Sequence, residues 1–381
     1  MNTQSLDTVR ATFFAHDLRA GGAERSVIRL ANAMVRRNIP VELVLINRTG
    51  AFLSELDPQV SIFELSGNRT ATSIFSLYRY IKAARPQFII ASMTHINAAV
   101  ILASLFVLTR PFLIVVEHNQ YDMNLVQKSG LVRLAYRLAP LLYRFADVVA
   151  GVSEGVRVSV ARAMGVSRDT VSVLYNPVVT PELTIKAAEP ARHDWLISRD
   201  VPVILAVGRL MPSKNYPLML EAFSKLRSTR PVRLIVLGEG KLRPDLESLA
   251  GMKGISSDVD FVGFRDNPLA FMKACDVFLM SSDWEGHPTV LIEAMACGAP
   301  IVSTDCRSGP GEILCDGSFG RLVPVGDAEA LADAVSNALD DPGDPAPRIA
   351  HANTFSDDRA VTAYLSAAGF KMAEEMKTEA V

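Results

Sequence analysis

Short apolar runs recur along this chain at strand length, each followed by a stretch of helical periodicity, and no other feature narrows the fold as far. In the first half they fall at residues 9–15, 41–46, 87–92, 112–117 and 146–152. After a looser stretch rich in proline and charge, which ends near residue 200 and reads as the linker, they restart at 203–207, 233–237, 260–262, 277–280, 300–304 and 320–323. Strands that are apolar on both faces and alternate with helices pair in parallel between helical layers. Two such series predict an α/β chain of two doubly wound units. The length agrees, because 381 residues exceed the size at which a single core stops growing. The expected domains are residues 1–180 and 181–355, leaving 356–381 as a last segment with a helix over 357–376.

Charge is divided unevenly between the halves. Residues 1–180 carry 19 Lys and Arg against 12 Asp and Glu, a balance of +7, and the remainder carries 20 against 29, a balance of −9. A basic first half suits anionic lipid, nucleic acid or an anionic acceptor. Cys275, Cys297, Cys306 and Cys315 form no CxxC pair and have no histidine at metal-ligand spacing, which predicts reduced thiols in a cytoplasmic protein. Residues 1–10 lack the apolar core of a signal peptide. The most apolar region, 98–116, is broken by Thr109-Arg110-Pro111, so neither part spans the ~30 Å of a bilayer core.

In open parallel sheets ligands bind beyond the carboxyl ends of the strands. The first such loop holds Gly21-Gly22 at the start of a helix that runs to about Arg37. A glycine pair lets a ligand approach the backbone, and it is equally an ordinary tight connection. There is no GxGxxG, which argues against a dinucleotide-binding dehydrogenase. In the second half Gly208, Arg209 and Lys214 follow one strand, and the two cations, five positions apart across a turn, suit a diphosphate. Gly238-Glu239-Gly240 and Gly263-Phe264-Arg265-Asp266 follow the next two strands, as ligand loops or as plain turns. Then comes Glu285-Gly286-His287-Pro288-Thr289-Val290, with Glu293 eight positions beyond Glu285 on a helix that Pro288 opens and Gly298 closes. Free amides at that helix start favour phosphate, and ionised carboxylates accept hydrogen bonds from sugar hydroxyls. The alternative is a pair of solvated acids. Residues 305–314 complete the edge, and no carboxylate cluster reads as a metal site.

The order GGAER, GRLMPSKN, LGEG, FVGF, EGHPTVLIEAMACGAPIV and SGPGEIL resembles the retaining glycosyltransferases of family 4. Their GT-B fold consists of two facing Rossmann-like domains, each with a parallel sheet. The likeness runs through nearly the whole chain, and its most specific parts are the E-x7-E element with its EAMACG tail and the Arg/Lys pair. It implies an acceptor-binding N-terminal domain, a C-terminal domain for a nucleoside diphosphate sugar with UDP as the expected carrier, and a C-terminal helix that crosses back to the N-terminal domain. By the same resemblance Arg209 and Lys214 neutralise the departing diphosphate, Glu293 holds the ribose and Glu285 lies beside the transferred sugar. Gly208 and the backbone of Gly286, His287, Pro288, Thr289 and Val290 meet the donor, Phe264 and Arg265 the base, and Gly21 and Gly22 close over the diphosphate. His118, in the sequence Glu117-His118-Asn119, falls where relatives carry an active-site histidine. His287 departs from the pattern, which has an aromatic or aliphatic residue there; it contacts the donor sugar or caps the turn. Two fixed cations and helix amides stabilise the charge that builds on the leaving diphosphate, so no metal or other cofactor is expected. Retention follows from same-face attack with the leaving phosphate taking the acceptor proton, and Glu285 is not assigned as a nucleophile.

Residues 125–146 carry Lys128, Arg133, Arg137 and Arg144 among leucines and tyrosines, with the three arginines at spacings of four and seven. Such a helix either packs with snorkelling arginines or lies on an anionic membrane and receives a lipid diphosphate. EHN and SGPGEIL also resemble the branch acting on polyprenyl-diphosphate-linked glycans with hexose or N-acetylhexosamine donors, which implies a protein peripheral on the cytoplasmic face of the inner membrane. The rival readings are a nucleotide-sugar epimerase, a transferase for soluble acceptors and a binding module without turnover. A nucleic-acid partner would leave the Glu285/Glu293 corner unexplained and is not expected.

Overall fold

A computed structural model describes residues 9–19, 21–65, 70, 73–122 and 130–370. The chain forms two compact units: one runs to Pro177 and resumes at Asp357, and the other is Val178–Ser356.

In the first unit the strands are β1 Ala11–Ala15, β2 Val41–Leu45, β3 Ser61–Glu64, β4 Phe88–Ser92, β5 Phe112–Glu117, β6 Val148–Gly151 and β7 Ser172–Val173. They lie in the order β3-β2-β1-β4-β5-β6-β7, every neighbouring pair parallel. Phe13, Leu43, Ile89 and Val115 on the central strands are enclosed by helices on both faces, which explains their unbroken apolar character. Two strands, β3 and β7, lie at the sheet edges and carry too little apolar sequence to announce themselves. The order reverses between β1 and β4, so the loops after these strands diverge at the carboxyl edge. The helix Asp357–Ala367 packs Val361, Tyr364 and Leu365 into this core. Its start is held by Asp357 to Arg36 and Asp358 to Arg37, the residues that close the helix Gly22–Arg36. It ends nine residues short of the expected 376; residues 371–381 lie outside the described residues.

The second unit contains β8 Val203–Val207, β9 Arg233–Leu237, β10 Val259–Gly263, β11 Val277–Met280, β12 Ile301–Thr304 and β13 Arg321–Val323. Their order is β10-β9-β8-β11-β12-β13, again parallel throughout. Here the reversal falls between β8 and β11. The stretch expected to be a linker is instead part of this unit: it forms the helices Pro181–Ala187 and Asp194–Ser198, which bury Leu183 and Leu196. His193 Nε2 meets Asp260 Oδ2 at 3.0 Å, so the charged residues that made the stretch look loose fasten it to β10.

Candidate active site

The loops after β8 and β11 flank the point of reversal in the second unit, and small polar residues lace them together. Asn215 adopts a left-handed φ of 44°, which Asn tolerates. Its Nδ2 donates to Asp283 Oδ1 at 2.7 Å, and its Oδ1 accepts from the Leu218 amide at 3.2 Å. From the facing loop Ser281 Oγ donates to the Lys214 carbonyl at 2.8 Å and the Asp283 amide to the Ser213 carbonyl at 2.9 Å. Lys214 Nζ is thereby brought 2.6 Å from Glu285 Oε1, which also accepts from Ser282 Oγ at 2.7 Å. The lysine and glutamate side chains are only 19% and 12% exposed, so this is a sheltered pair and not a solvated one.

The Glu285–Pro288 turn is held from behind. Ser308 Oγ donates to the Gly286 carbonyl at 2.9 Å and Thr304 Oγ1 to the Ser282 carbonyl at 2.6 Å. Gly309, at φ 96°, lies where a Cβ would overlap the Pro288 ring. The segment SGPG thus braces the turn. No side chain caps the helix Thr289–Ala296, whose N-cap is Pro288; the Leu291 amide donates to the Pro288 carbonyl at 3.0 Å, and the amides of Thr289 and Val290 lie at the positive end of the helix dipole without a side-chain cap. Glu293 lies one turn along, buried at 5% exposure, and Gly298 terminates the helix at φ 78°. His287 turns inward: its residue is buried and its ring centroid is 5.5 Å from that of Phe355.

Four glycines set the rest of the edge backbone to backbone. The Gly208 amide donates to the Leu237 carbonyl at 2.9 Å and the Gly238 amide to the Gly263 carbonyl at 2.9 Å. A Cβ on Gly238, already at φ 137°, would overlap the Gly208 carbonyl, and one on Gly240 would overlap that of Leu210. Arg209 is exposed and has no ion pair among the described residues. Phe264 is exposed, and Arg265 Nη1 turns back to the Phe264 carbonyl at 3.1 Å. No sequence signal marked Ser281 or Ser282, and Asn215 and Ser308 lay within quoted motifs without a role; short hydroxyl and amide side chains beside a strand end look the same whether they tie a loop or face water.

In the first unit Gly21 is the extended N-cap, at φ −165°, of a helix with no side-chain cap, and the space around Gly22 is open. His118 follows β5; its Nε2 is enclosed and has no partner among the described residues. Burial pushes this imidazole down to about 4, which keeps it neutral near pH 7. The preceding Glu117 is fully buried. The expected helix over 125–146 is described from Gly130 and runs to Leu142, after which Tyr143–Phe145 form a separate 3-10 turn. Arg133 and Arg137 therefore share a helix and Arg144 does not. All three are exposed, as are Leu134, Leu138, Leu141 and Phe145, whereas Tyr136, Ala139 and Tyr143 face the core. Lys128 lies outside the described residues. Among the described residues no three His, Cys, Asp or Glu side chains stand close enough to hold a metal ion, and no helix is long and apolar enough to cross a membrane.

Two doubly wound parallel sheets with their polar loops at the carboxyl edges are those of the GT-B fold. The Anabaena HepE protein, crystallised with UDP and glucose, matches this fold with a TM-score of 0.77 over 95% of this chain and 99% of its own, at 21% identity. The family described as Glycosyl transferases group 1 matches residues 188–354, and Glycosyltransferase Family 4 matches residues 20–181. The chain belongs to glycosyltransferase family 4. Among its relatives in Campylobacter jejuni is the N-acetylgalactosamine-N,N'-diacetylbacillosaminyl-diphospho-undecaprenol 4-alpha-N-acetylgalactosaminyltransferase, 28% identical over 86% of this chain and 89% of that protein. A second is the GalNAc-alpha-(1->4)-GalNAc-alpha-(1->3)-diNAcBac-PP-undecaprenol alpha-1,4-N-acetyl-D-galactosaminyltransferase, 26% identical over 87% and 89%.

Proposed function

We propose that this glycosyltransferase moves a hexose or N-acetylhexosamine from a UDP-sugar to a glycan carried on polyprenyl diphosphate, with retention of configuration and without a metal. The observation that carries the reading is the sheltered Lys214–Glu285 pair beside the uncapped helix start at Thr289, on the two loops that flank the reversal of strand order. Such a corner offers an anion a fixed cation and backbone amides, and offers sugar hydroxyls a carboxylate. Arg209 and Lys214 take up the charge that grows on the leaving diphosphate, Glu293 binds the ribose and Glu285 orients the transferred sugar. Phe264 and Arg265 meet the base. Gly22 leaves backbone open to the diphosphate, whereas the Glu24 side chain covers Gly21 and turns aside for a ligand to reach it; neutral His118 serves the transferred sugar or the acceptor. The inward ring of His287 favours shaping the turn over touching the sugar. The polyprenyl acceptor rests on the names of the Campylobacter relatives.

To the first unit we assign an anionic lipid surface. Beyond the helix Thr94–Ser104, Leu105, Phe106 and Leu108 stand exposed, Phe106 at 74%. Arg110 Nη1 donates to the Phe145 carbonyl at 2.6 Å, which ties this apolar turn to the end of the arginine-bearing segment. Exposed leucines interleaved with Arg133, Arg137 and Arg144 suit the boundary between lipid tails and anionic headgroups.

The test supplies labelled UDP-glucose, UDP-galactose and their N-acetylated forms with and without undecaprenyl-diphosphate-linked glycan, in EDTA. The expected result is acceptor-dependent UDP release and a lipid-linked product whose anomeric coupling matches the donor's. Acceptor-free isomerisation would make the protein an epimerase, transfer to free sugars alone would make the acceptor soluble, and binding without turnover would make it a module.

A further inference from the structure

Glu117 ends β5, one position before His118, and its carboxyl is enclosed at 2% exposure. Three donors converge on it. Thr94 Oγ1 donates to Oε2 at 2.9 Å, Asn97 Nδ2 to Oε1 at 3.4 Å, and the Tyr143 hydroxyl also to Oε1. Asn97 Nδ2 further reaches the Val116 carbonyl at 3.1 Å and the Tyr143 oxygen at 3.2 Å. No cation faces the carboxyl among the described residues. The other titratable neighbours are the phenols of Tyr121 and Tyr136, both pushed up by burial, and the imidazole of His118, pushed down by it; all are neutral near pH 7.

A carboxylate buried without a counter-ion costs stability, and a neutral residue would serve a core better. Yet three neighbours donate to it, which favours the ionised form against the burial that favours the acid. The donors also come from separate elements. Thr94 and Asn97 lie on the first turn of a helix reached from β4 through Met93, whose φ of 80° is strained for a residue other than glycine. Tyr143 opens the 3-10 turn that follows the arginine-bearing helix.

We propose that Glu117 is a positioning residue for transfer: its carboxylate joins the strand end that presents His118 to the Thr94 helix and to Tyr143, and so fixes the imidazole relative to the arginine-bearing helix. This rests on the reading of His118 as part of the reaction site. Burial raises the carboxyl to about 7 against the pull of its three donors, so it changes charge near neutrality. Protonation turns one carboxyl oxygen into a donor, so the hydroxyl of Thr94 or Tyr143 that donated to it has to reverse or move; in this proposal the ionised form is the competent one.

The test is Glu117→Gln, which keeps size and shape, beside Tyr143→Phe, which removes one donor. Wild-type kcat rises with pH through about 7. In Glu117→Gln the limb is lost and kcat at pH 8 is down about 100-fold, as for a small misplacement of a reacting group. The KM for UDP-sugar stays within about twofold, since donor contacts elsewhere are untouched. Tyr143→Phe keeps the limb at reduced kcat. In protein with nitrogen-labelled histidine, the His118 ring signals move as Glu117 titrates and hold still in Glu117→Gln. That spectrum needs no substrate, so a wrong donor or acceptor leaves it readable. Wild-type kcat and limb in Glu117→Gln, or His118 signals that ignore Glu117, would overturn the proposal. So would a loss of kcat matched by loss of the folded state.

Discussion

Single side chains here are held in pairs, and the pairs set what a substitution does. Lys214→Ala strips Glu285 of its cation but leaves the Ser282 hydroxyl in place. For a partly sheltered pair the expected stability loss is about 1–3 kcal/mol, whereas transfer falls by about 10²–10³ if the ammonium stabilises the leaving diphosphate. Thermal melting measured beside kcat separates the two, and wild-type turnover would remove Lys214 from the site. Glu117 and His118 act on stability with opposite sign. The folded carboxyl, at about 7 against an ordinary 4.5, keeps a proton that the unfolded chain releases, so its contribution is full below pH 4.5 and is lost as pH climbs to 7. The folded imidazole, at about 4 against 6.5, refuses a proton that the unfolded chain binds, so its contribution grows from pH 4 to 6.5. In the wild type the two largely cancel over their shared range. Glu117→Gln is expected to unmask a rise of up to about 3 kcal/mol across pH 4–6.5, and His118→Asn a comparable fall towards pH 7. Urea titrations over that range check this; identical profiles in all three proteins would mean that neither group titrates as its burial dictates.

Elements carry the site through backbone contacts, and these were the least legible part of the sequence. The buried central strands could be read almost to the residue, because Val203–Val207 or Phe112–Glu117 have no face to give to water. The edge strand Ser61–Glu64 escaped because most of it is exposed, and Ser172–Val173 because two residues make no pattern. At the site, Lys214 and Glu285 stood out as charges at strand ends, but nothing in the sequence said that they touch; that follows from Asn215, Ser281 and the Asp283 amide lacing two loops that lie 66 or more positions apart. Glycines were legible as ligand loops or turns, but not by which backbone each one meets. Gly238→Ala is expected to cost several kcal/mol and to abolish UDP binding, because its Cβ would meet the Gly208 carbonyl at a strained φ. Gly22→Ala meets nothing, so it is expected to melt like wild type and lose transfer only if a ligand lies against that backbone. Calorimetric UDP binding together with melting distinguishes these cases. For the lipid surface proposed on the first unit, flotation should show salt-sensitive binding to phosphatidylglycerol vesicles and none to phosphatidylcholine. Leu105→Ser with Phe106→Ser and Leu108→Ser should weaken it without changing melting, since these side chains are exposed. Unaltered flotation would take this turn out of the lipid contact.

At the scale of the whole chain, connectivity makes the two units unequal in their dependence on the terminus. The chain enters the second unit at Val178 and leaves it after Phe355, and the amides of Val178 and Val179 both donate to the Phe355 carbonyl, at 3.0 and 3.1 Å. Entry and exit are thus fastened within that unit, which is one continuous segment. The first unit is not: it draws Val361, Tyr364 and Leu365 from beyond the second, and they enter its core against the helix Gly22–Arg36. Leu365 is fully buried, so Leu365→Ala removes apolar contact and leaves a cavity, at a cost of about 2–5 kcal/mol. That cost falls on the first unit alone, because separate cores lose stability separately. Hydrogen exchange should therefore quicken in β1, β4 and the helix Gly22–Arg36, while β8, β9 and the helix Thr289–Ala296 keep wild-type protection. UDP binding, assigned to the second unit, should persist at temperatures where transfer has been lost. Uniform acceleration across both sheets would show instead that the two units unfold as one cooperative body, and the terminal helix would then stabilise the donor corner as much as the core it enters.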